Sequence, residues 1–297
     1  MSEVIRPCPL CGGTASGKTF PFVIQFSGKN FSYFKCGGCA SVFVNPVPDD
    51  QTLASMYVKS EYHDCHYAGC DFGGYDDAAR LLKKVALPGA TILDYGCGIG
   101  QFLQAIKAEG FVPFGVEFDE EAAKFTAMNT GCEVLSVQEF EEHSGQAQFE
   151  VIHLGDVLEH LPDPKQMLKN LLVYLKPDGL LFVEGPLEIN PSPVYWAARL
   201  FGTLKHLLRP GFIGSGKPTH LFRTGAKQQQ AFFKRVVPDL KLNYWLVYET
   251  GLPYASGGLI KKTIAFFAKI LGGKKFCKII FGNRFRAIYT SNKDQII

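Results

Sequence analysis

The chain has no run of about 18 uncharged apolar residues, so no helix is expected to span a membrane. It opens with Glu3, Arg6 and two prolines where a secretory leader would be apolar, so no signal peptide is expected. No internal repeat and no low-complexity tract interrupts it, which leaves a globular reading. Net charge is scant at +3, with 46% apolar and 20% charged residues over 297 positions, the profile of an ordinary globular protein. That length allows one large α/β domain with an appendage. Acid is missing locally: between 252 and 282 stand six lysines and no Asp or Glu, a +6 segment in a chain that otherwise sums to −3. Arginine-rich stripes are absent as well, and no DNA partner is expected. Cysteine is not scarce. Nine cysteines without a leader predict a cytoplasmic, reducing setting, with metal ligands or inert thiols rather than disulfides.

The stretch "CPLCGGTASGKTF" holds a literal G-x-x-x-x-G-K-[ST] match from Gly12 to Thr19. A phosphate-cradling loop of that kind needs an apolar strand before it and a helix after it. Here two prolines precede it, and "FPFVIQF" after it reads as strand, so nucleotide binding is not expected. The cysteines explain the glycines instead. Cys8-x-x-Cys11 and Cys36-x-x-Cys39, with 24 residues between the pairs, predict a closed four-thiolate Zn²⁺ site. Gly12-Gly13 and Gly37-Gly38 let backbone N–H groups turn toward the sulfurs. Two short strands should join the pairs as a zinc ribbon, with Lys18 a surface residue. Four protein ligands leave no open position, so this metal is expected to be structural. A second group, His63, Cys65, His66 and Cys70, has spacings that fit no standard ligand pattern.

The second glycine-rich segment is "ATILDYGCGIGQFLQAIKAEG", Ala90 to Gly110. It reads as a buried strand, a tight turn at Gly96, Cys97 and Gly98, and a helix from Gly100 with Phe102, Leu103 and Ile106 on one face. Gly110 is its stop. Such a unit opens a doubly wound sheet with a ligand at the strand's C-terminal end. The next strand ends at Glu117, 21 residues after Gly96, where an acid can accept from both hydroxyls of a ribose. The loop is D-x-G-x-G-x-G and carries no Lys or Arg for a pyrophosphate. A nucleoside with a carboxylate, an amine and a sulfonium in its tail suits it better: the carboxylate would use the turn's N–H groups, and Asp94 would offset the positive charge.

With "LDYGCGIG" (93–100), "GVEFDEEA" around Glu117, "FEVIHLGDVLEHLPDP" (149–164) and "LKPDGLLFVEGP" (175–186) in order, the chain resembles the class I S-adenosylmethionine-dependent methyltransferases. Glu150 stands where that family more often has Asp. The cysteine-bearing prefix followed by "VNPVPDDQTLASMY" looks like the branch common among enzymes that methylate sugars and cell-surface glycans. The resemblance implies S-adenosylmethionine held by Gly96, Cys97 and Gly98 around its tail and by Glu117 on the ribose. It further implies Phe118 against adenine, Gln138 near the adenine edge and Gly155 along the sulfur. Tyr57 and Tyr62 would close over the site. Methyl transfer to a hydroxyl needs a base, and histidine suits neutral pH. His220 in "KPTHLF" and His160 in "LEHLPDP" are the candidates, with His206 on the intervening insertion.

The expected fold is α/β: a doubly wound Rossmann-like methyltransferase sheet closed by antiparallel last strands at 241–249 and 284–292, preceded by a small zinc ribbon. Its parts are the ribbon (1–47), a linker and cap (48–88), and the cofactor-binding domain (89–297) with insertions at 187–219 and 252–282. The first insertion should roof the active site. In the second, Ile260, Ile264, Phe267 and Leu271 share one helical face opposite Lys262 and Lys269. That pattern suits a helix on an anionic membrane surface at the inner face, or one packed on the core with solvated lysines. The expected acceptor is a sugar hydroxyl of a nucleotide-linked or lipid-linked glycan. The rivals are an RNA methyltransferase and a non-catalytic zinc-ribbon binding protein. Strand four ends in "GDVLEH" rather than a proline-aromatic tetrad that grips a flipped base, which weighs against base methylation. Intact cofactor motifs weigh against the second rival.

Overall fold

A computed structural model describes residues 4–56, 73–143, 145 and 147–291. Near the N-terminus β1 (Ala15–Phe26), β2 (Lys29–Cys36) and β3 (Val42–Asn45) form an antiparallel meander. The Gly12–Thr19 stretch thus feeds a strand and no helix, and Lys18 is exposed with its ammonium over the Phe34 ring. Helices α1 (Asp50–Met56) and α2 (Gly73–Lys83) lead to a seven-stranded sheet.

That sheet takes β4 (Thr91–Tyr95), α3 (Gln101–Ala108), β5 (Val112–Glu117), α4 (Glu120–Thr130), β6 (Glu133–Ser136), α5 (Val137–His143) and β7 (Phe149–Gly155) in turn. A short 3₁₀ turn at Leu158–His160 and α6 (Pro164–Leu172) precede β8 (Leu175–Pro186). Next come α7 (Pro193–Leu208), β9 (Gly214–Ser215), β10 (Phe222–Arg223), α8 (Ala226–Val236) and β11 (Lys241–Tyr248). The chain closes with α9 (Leu259–Leu271), the hairpin β12 (Lys275–Phe276) and β13 (Ile279–Ile280), and β14 (Arg284–Thr290). The strand order is β11-β14-β8-β7-β4-β5-β6, parallel except that β14 runs antiparallel to both neighbours. This is an α/β, Rossmann-like, mostly parallel sheet, and the order reverses beside β4, the place where such sheets bind ligands.

Local chemistry sets these boundaries. Asp119 caps α4 by accepting from Ala122 N–H, Glu120 and Glu121 fill its first turn, and Gly131 ends it in the left-handed region. The central strands are apolar on both faces: Ile92, Leu93, Val151, Ile152, Leu181 and Phe182 are buried because helices cover the sheet on each side. Glu150 joins β7 to its neighbours, accepting from Thr91 N–H at 2.7 Å and pairing with Lys176.

The N-terminal strands do not stand apart. β9 adds to β1 and β10 to β3, giving the order β10-β3-β2-β1-β9, so the insertion after β8 completes the first sheet. Cys8, Leu10, Phe34 and Phe43 share one buried cluster with Leu93, Ile152, Phe232 and Phe285. α7, expected to roof the active site, packs on β1 and α9.

α9 sits in an orientation the sequence wheel does not give. Ala265 and Ala268 face the body, Ile264 and Leu271 are half-buried, and Ile260 and Phe267 are exposed. The inward side must be small because Gly251 lies against it: a Cβ there would meet the Ala265 Cβ at 3.0 Å. The core-packed alternative for this helix therefore fails for its largest side chains.

Candidate active site

The C-terminal ends of β4, β5 and β7 converge on the glycine turn. Gly96 has φ +81°, and a Cβ there would meet the Val157 side chain at 2.6 Å, so the turn can pass beneath the β7 loop only as glycine. The N–H groups of Gly96 and Cys97 both donate to the Val116 carbonyl, at 2.7 and 3.0 Å. They are spent on holding the turn to β5 and do not point at a ligand carboxylate, a correction to the reading that gave them that task. Gly98 N–H donates to Glu117 Oε2 and Phe118 N–H to Glu117 Oε1, each at 2.7 Å. A carboxylate oxygen carries two lone pairs, so a buried acid whose two oxygens are fixed by backbone N–H groups has the acceptor chemistry that a vicinal diol requires. Gln101 Oε1, buried at the start of α3, has no hydrogen-bond partner among the described residues. That orphan acceptor and the pre-set Glu117 fit the donors of a nucleoside with an amino-acid tail.

The other carried-over positions that are described lie at or follow the ends of β4, β5, β6 and β7. Phe118 is 48% exposed just past β5 and meets Tyr95 edge-on at 5.4 Å, leaving an open ring face. Cys97 is buried against the turn. Gly155 ends β7. Gln138 begins α5 after β6 but turns its amide to Glu142 Oε1 at 2.9 Å. Tyr57 and Tyr62, and with them His63, Cys65, His66 and Cys70, lie outside the described residues.

Asp94 has a partner the sequence did not announce. Its Oδ1 lies 2.7 Å from His153 Nδ1; His153 Nε2 lies 3.3 Å from Glu184 Oε2; and Arg286 Nε donates to Glu184 Oε1 at 2.5 Å. All four residues are buried. Burial opposes a charge on His153, but the Asp94 carboxylate, helped by Glu184, prevails and raises its pKa to about 9. His153 is therefore a buried cation between two acids, under the floor of the glycine turn. The signal available in the sequence was a histidine and a glutamate within the apolar strands "FEVIHLG" and "LLFVEGP".

A second polar group gathers just past β7. His160 and His220 lie with ring centroids 4.9 Å apart, and His220 Nδ1 is 2.8 Å from Glu188 Oε2. Glu188 also meets Arg223, whose guanidinium covers the Tyr33 ring. Burial resists charge on His220, and the Glu188 carboxylate overrides it, raising the pKa to about 8. Burial and then His220 lower His160 to about 3, so it is neutral at physiological pH and donates Nδ1–H to the Thr219 carbonyl at 2.9 Å. Burial, with Asp156 nearby, raises Glu159 to about 8, so its carboxyl carries a proton at neutral pH. Asp156 itself is held as a carboxylate by Arg284 at 2.6 Å. The two histidines thus differ sharply: His220 titrates near working pH with an orienting acid behind it, and His160 does not. His220 keeps 27% of its side chain exposed, enough for a substrate to reach it. His206, on α7, stacks on Phe22 at 3.9 Å, away from this pair. Glu188 was hidden in an insertion with no pattern.

At the other end of the first sheet the four predicted cysteines do come together. The sulfurs of Cys8, Cys11, Cys36 and Cys39 all lie within 4.8 Å of one another. Gly13 N–H reaches Cys11 Sγ at 3.4 Å and Cys39 N–H reaches Cys36 Sγ at 3.5 Å. A Cβ on Gly13 would crowd two of the sulfurs at 3.1 and 3.2 Å.

Residues 71–212 match the family described as Methyltransferase domain. The ubiquinone biosynthesis O-methyltransferase of Salmonella paratyphi A is 32% identical over 133 residues, 43% of this chain and 53% of that protein. The protein of the same name from Salmonella typhi is 32% identical over 173 residues, 56% of this chain and 68% of its own length. The chain thus spans about half the length of the first of these relatives. Among solved structures, the 1,6-didemethyltoxoflavin-N1-methyltransferase of Burkholderia thailandensis, bound to 1,6-didemethyltoxoflavin and S-adenosylhomocysteine, superposes with a TM-score of 0.54. It covers 91% of this chain and 98% of its own at 14% identity, a likeness of fold.

Proposed function

From a chain that belongs to the class I S-adenosylmethionine-dependent methyltransferases, we infer transfer of a methyl group to a hydroxyl, with His220 as the base. The observation that carries this reading is the His220–Glu188 pair beside the end of β7. Glu188 holds Nδ1, which leaves Nε2 to take a proton from an acceptor hydroxyl. His160, neutral and tied to the Thr219 carbonyl, positions His220 edge-on and does not take the proton.

S-adenosylmethionine supplies a methyl carbon already activated by its sulfonium. Glu117 would hold the ribose hydroxyls, Phe118 would lie against the adenine, and Gln101 Oε1 would accept from the tail. Gly96 keeps the floor of the site low enough for that tail, and Asp156, fixed by Arg284, lies beside the acceptor side. The chain's own residues thus bind, orient and deprotonate.

The acceptor we propose is a hydroxyl on a lipid-linked or nucleotide-linked glycan, which rests on the cysteine-bearing prefix and the basic insertion. The name of the relatives favours a second reading, a hydroxyl on an intermediate of ubiquinone biosynthesis. Cys8, Cys11, Cys36 and Cys39 are proposed to hold one structural Zn²⁺: four sulfurs so close would repel as thiolates unless a cation lay among them.

Labelled S-adenosylmethionine incubated with the protein and an extract, then separated into glycolipid, nucleotide-sugar, quinone and RNA fractions, tests the reading. Label in a glycan fraction supports the first acceptor and label in quinones the second. Label in RNA refutes both.

A further inference from the structure

Two helices of this chain are packed with their small residues inward and their large apolar residues outward. On α7, Ala198, Gly202 and Thr203 are half-buried, whereas Trp196, Leu200, Phe201, Leu204, Leu207 and Leu208 are exposed. At 3.6 residues per turn those six occupy a continuous sector of roughly 140°. α7 cannot roll to hide them, because Phe20 of β1 fills the space at Gly202, where a Cβ would stand 2.1 Å from its ring. On α9 the inward residues are Ala265 and Ala268, and Leu259, Ile260, Phe266, Phe267 and Ile270 are exposed. The helices pack on each other, and Trp196 of α7 meets Phe281 beyond α9 edge-on at 5.7 Å. Monomeric globular proteins rarely expose so many large apolar side chains on adjoining elements without a partner.

Charge identifies the partner. Residues 191–216 carry Arg199, Lys205 and Arg209, and 252–282 carry six lysines; neither stretch has an acid. The two stretches together carry nine cations in a chain whose net charge is only +3. Lys205 lies at one flank of the α7 sector and Lys262 and Lys269 at one flank of the α9 sector, as helical spacing requires. Leucine, phenylalanine and tryptophan outward with lysine at the flanks is the composition of a helix that lies in the interface of an anionic bilayer.

We infer that α7 and α9 together form a docking surface for an anionic phospholipid bilayer. α7 leaves the C-terminal end of β8, the same edge of the sheet that carries the glycine turn, so docking would set the active-site rim close to the lipid interface. The inference does not depend on the acceptor's identity.

Flotation with vesicles of phosphatidylcholine containing about a third phosphatidylglycerol tests it, with Trp196 fluorescence, read in the full chain carrying Trp245→Phe, as a local reporter. The full chain should float with these vesicles at low salt, with the Trp196 emission shifted to the blue, and should be released at high salt. Lys262→Glu with Lys269→Glu should weaken binding tenfold or more. Leu200→Gln with Phe267→Gln should weaken it at least as much, while both variants keep S-adenosylhomocysteine binding. Failure of the unaltered protein to float, equal binding to pure phosphatidylcholine, or unchanged binding by both variants would overturn the inference. So would a homodimer in solution that the Leu200→Gln, Phe267→Gln variant dissociates, since the surface would then belong to a second copy.

Discussion

His220 Nδ1 and Glu188 Oε2 lie 2.8 Å apart, and the histidine is the one of the two at this rim whose pKa stands near neutrality, raised to about 8. A base must be neutral to act, so methyl transfer should rise with pH through about 8.

Glu188→Gln removes the charge that raises His220. The rising limb should then move to lower pH, toward the ordinary histidine value of about 6.5, even as the maximal rate drops. His220→Ala should lose roughly 10²–10⁴-fold in kcat. His160→Gln should leave the position of the limb in place. A pH–rate series on the three variants checks this, and an unmoved limb in Glu188→Gln would remove His220 from the role of base.

His153 predicts how stability depends on pH. Its folded pKa of about 9 lies above the unfolded value of 6.5, so the folded state binds the extra proton. The stabilisation is fully present below pH 6.5 and is lost as pH rises through 9. Glu159, raised to about 8, acts in the same direction over pH 4.5–8. The Tm of the ligand-free protein should fall between pH 6.5 and 9. Asp94→Asn leaves a buried histidine without its main partner, which should cost about 3–5 kcal/mol and flatten that fall.

The cysteine cluster predicts about one Zn²⁺ per chain by elemental analysis. Cys8→Ser or Cys36→Ser should lower folding yield and Tm, because Cys8 and Cys36 sit in the main buried cluster with Leu93 and Phe285. The fraction that folds should keep most of its specific activity, since a closed four-sulfur site touches no substrate. A chelator that abolished activity with Tm unchanged would contradict a structural metal.

What the sequence announced and what it concealed divide by distance along the chain. The C-x-x-C pairs, the D-x-G-x-G-x-G turn, Glu117 and the last two strands are each written within a few tens of residues, where glycine geometry and strand-forming residues leave a local trace. The Asp94–His153–Glu184–Arg286 chain joins residues 59, 31 and 102 positions apart, and no local pattern encodes it. Glu188 became meaningful only once β10 brought His220 beside it. For α9 the wheel found an apolar side but not which side faced the body, because Gly251 and two alanines, not the large residues, decide that contact.

The central claim is a cofactor site whose ribose acid is Glu117, and titration of S-adenosylhomocysteine by calorimetry tests it most directly. The account predicts one site per chain for the unaltered protein and binding weakened about 10–100-fold in Glu117→Gln, the loss expected when a charged acceptor of two hydroxyls is neutralised. Circular dichroism of the two proteins should coincide. Absence of binding by the unaltered protein, or equal affinity in Glu117→Gln, would contradict it.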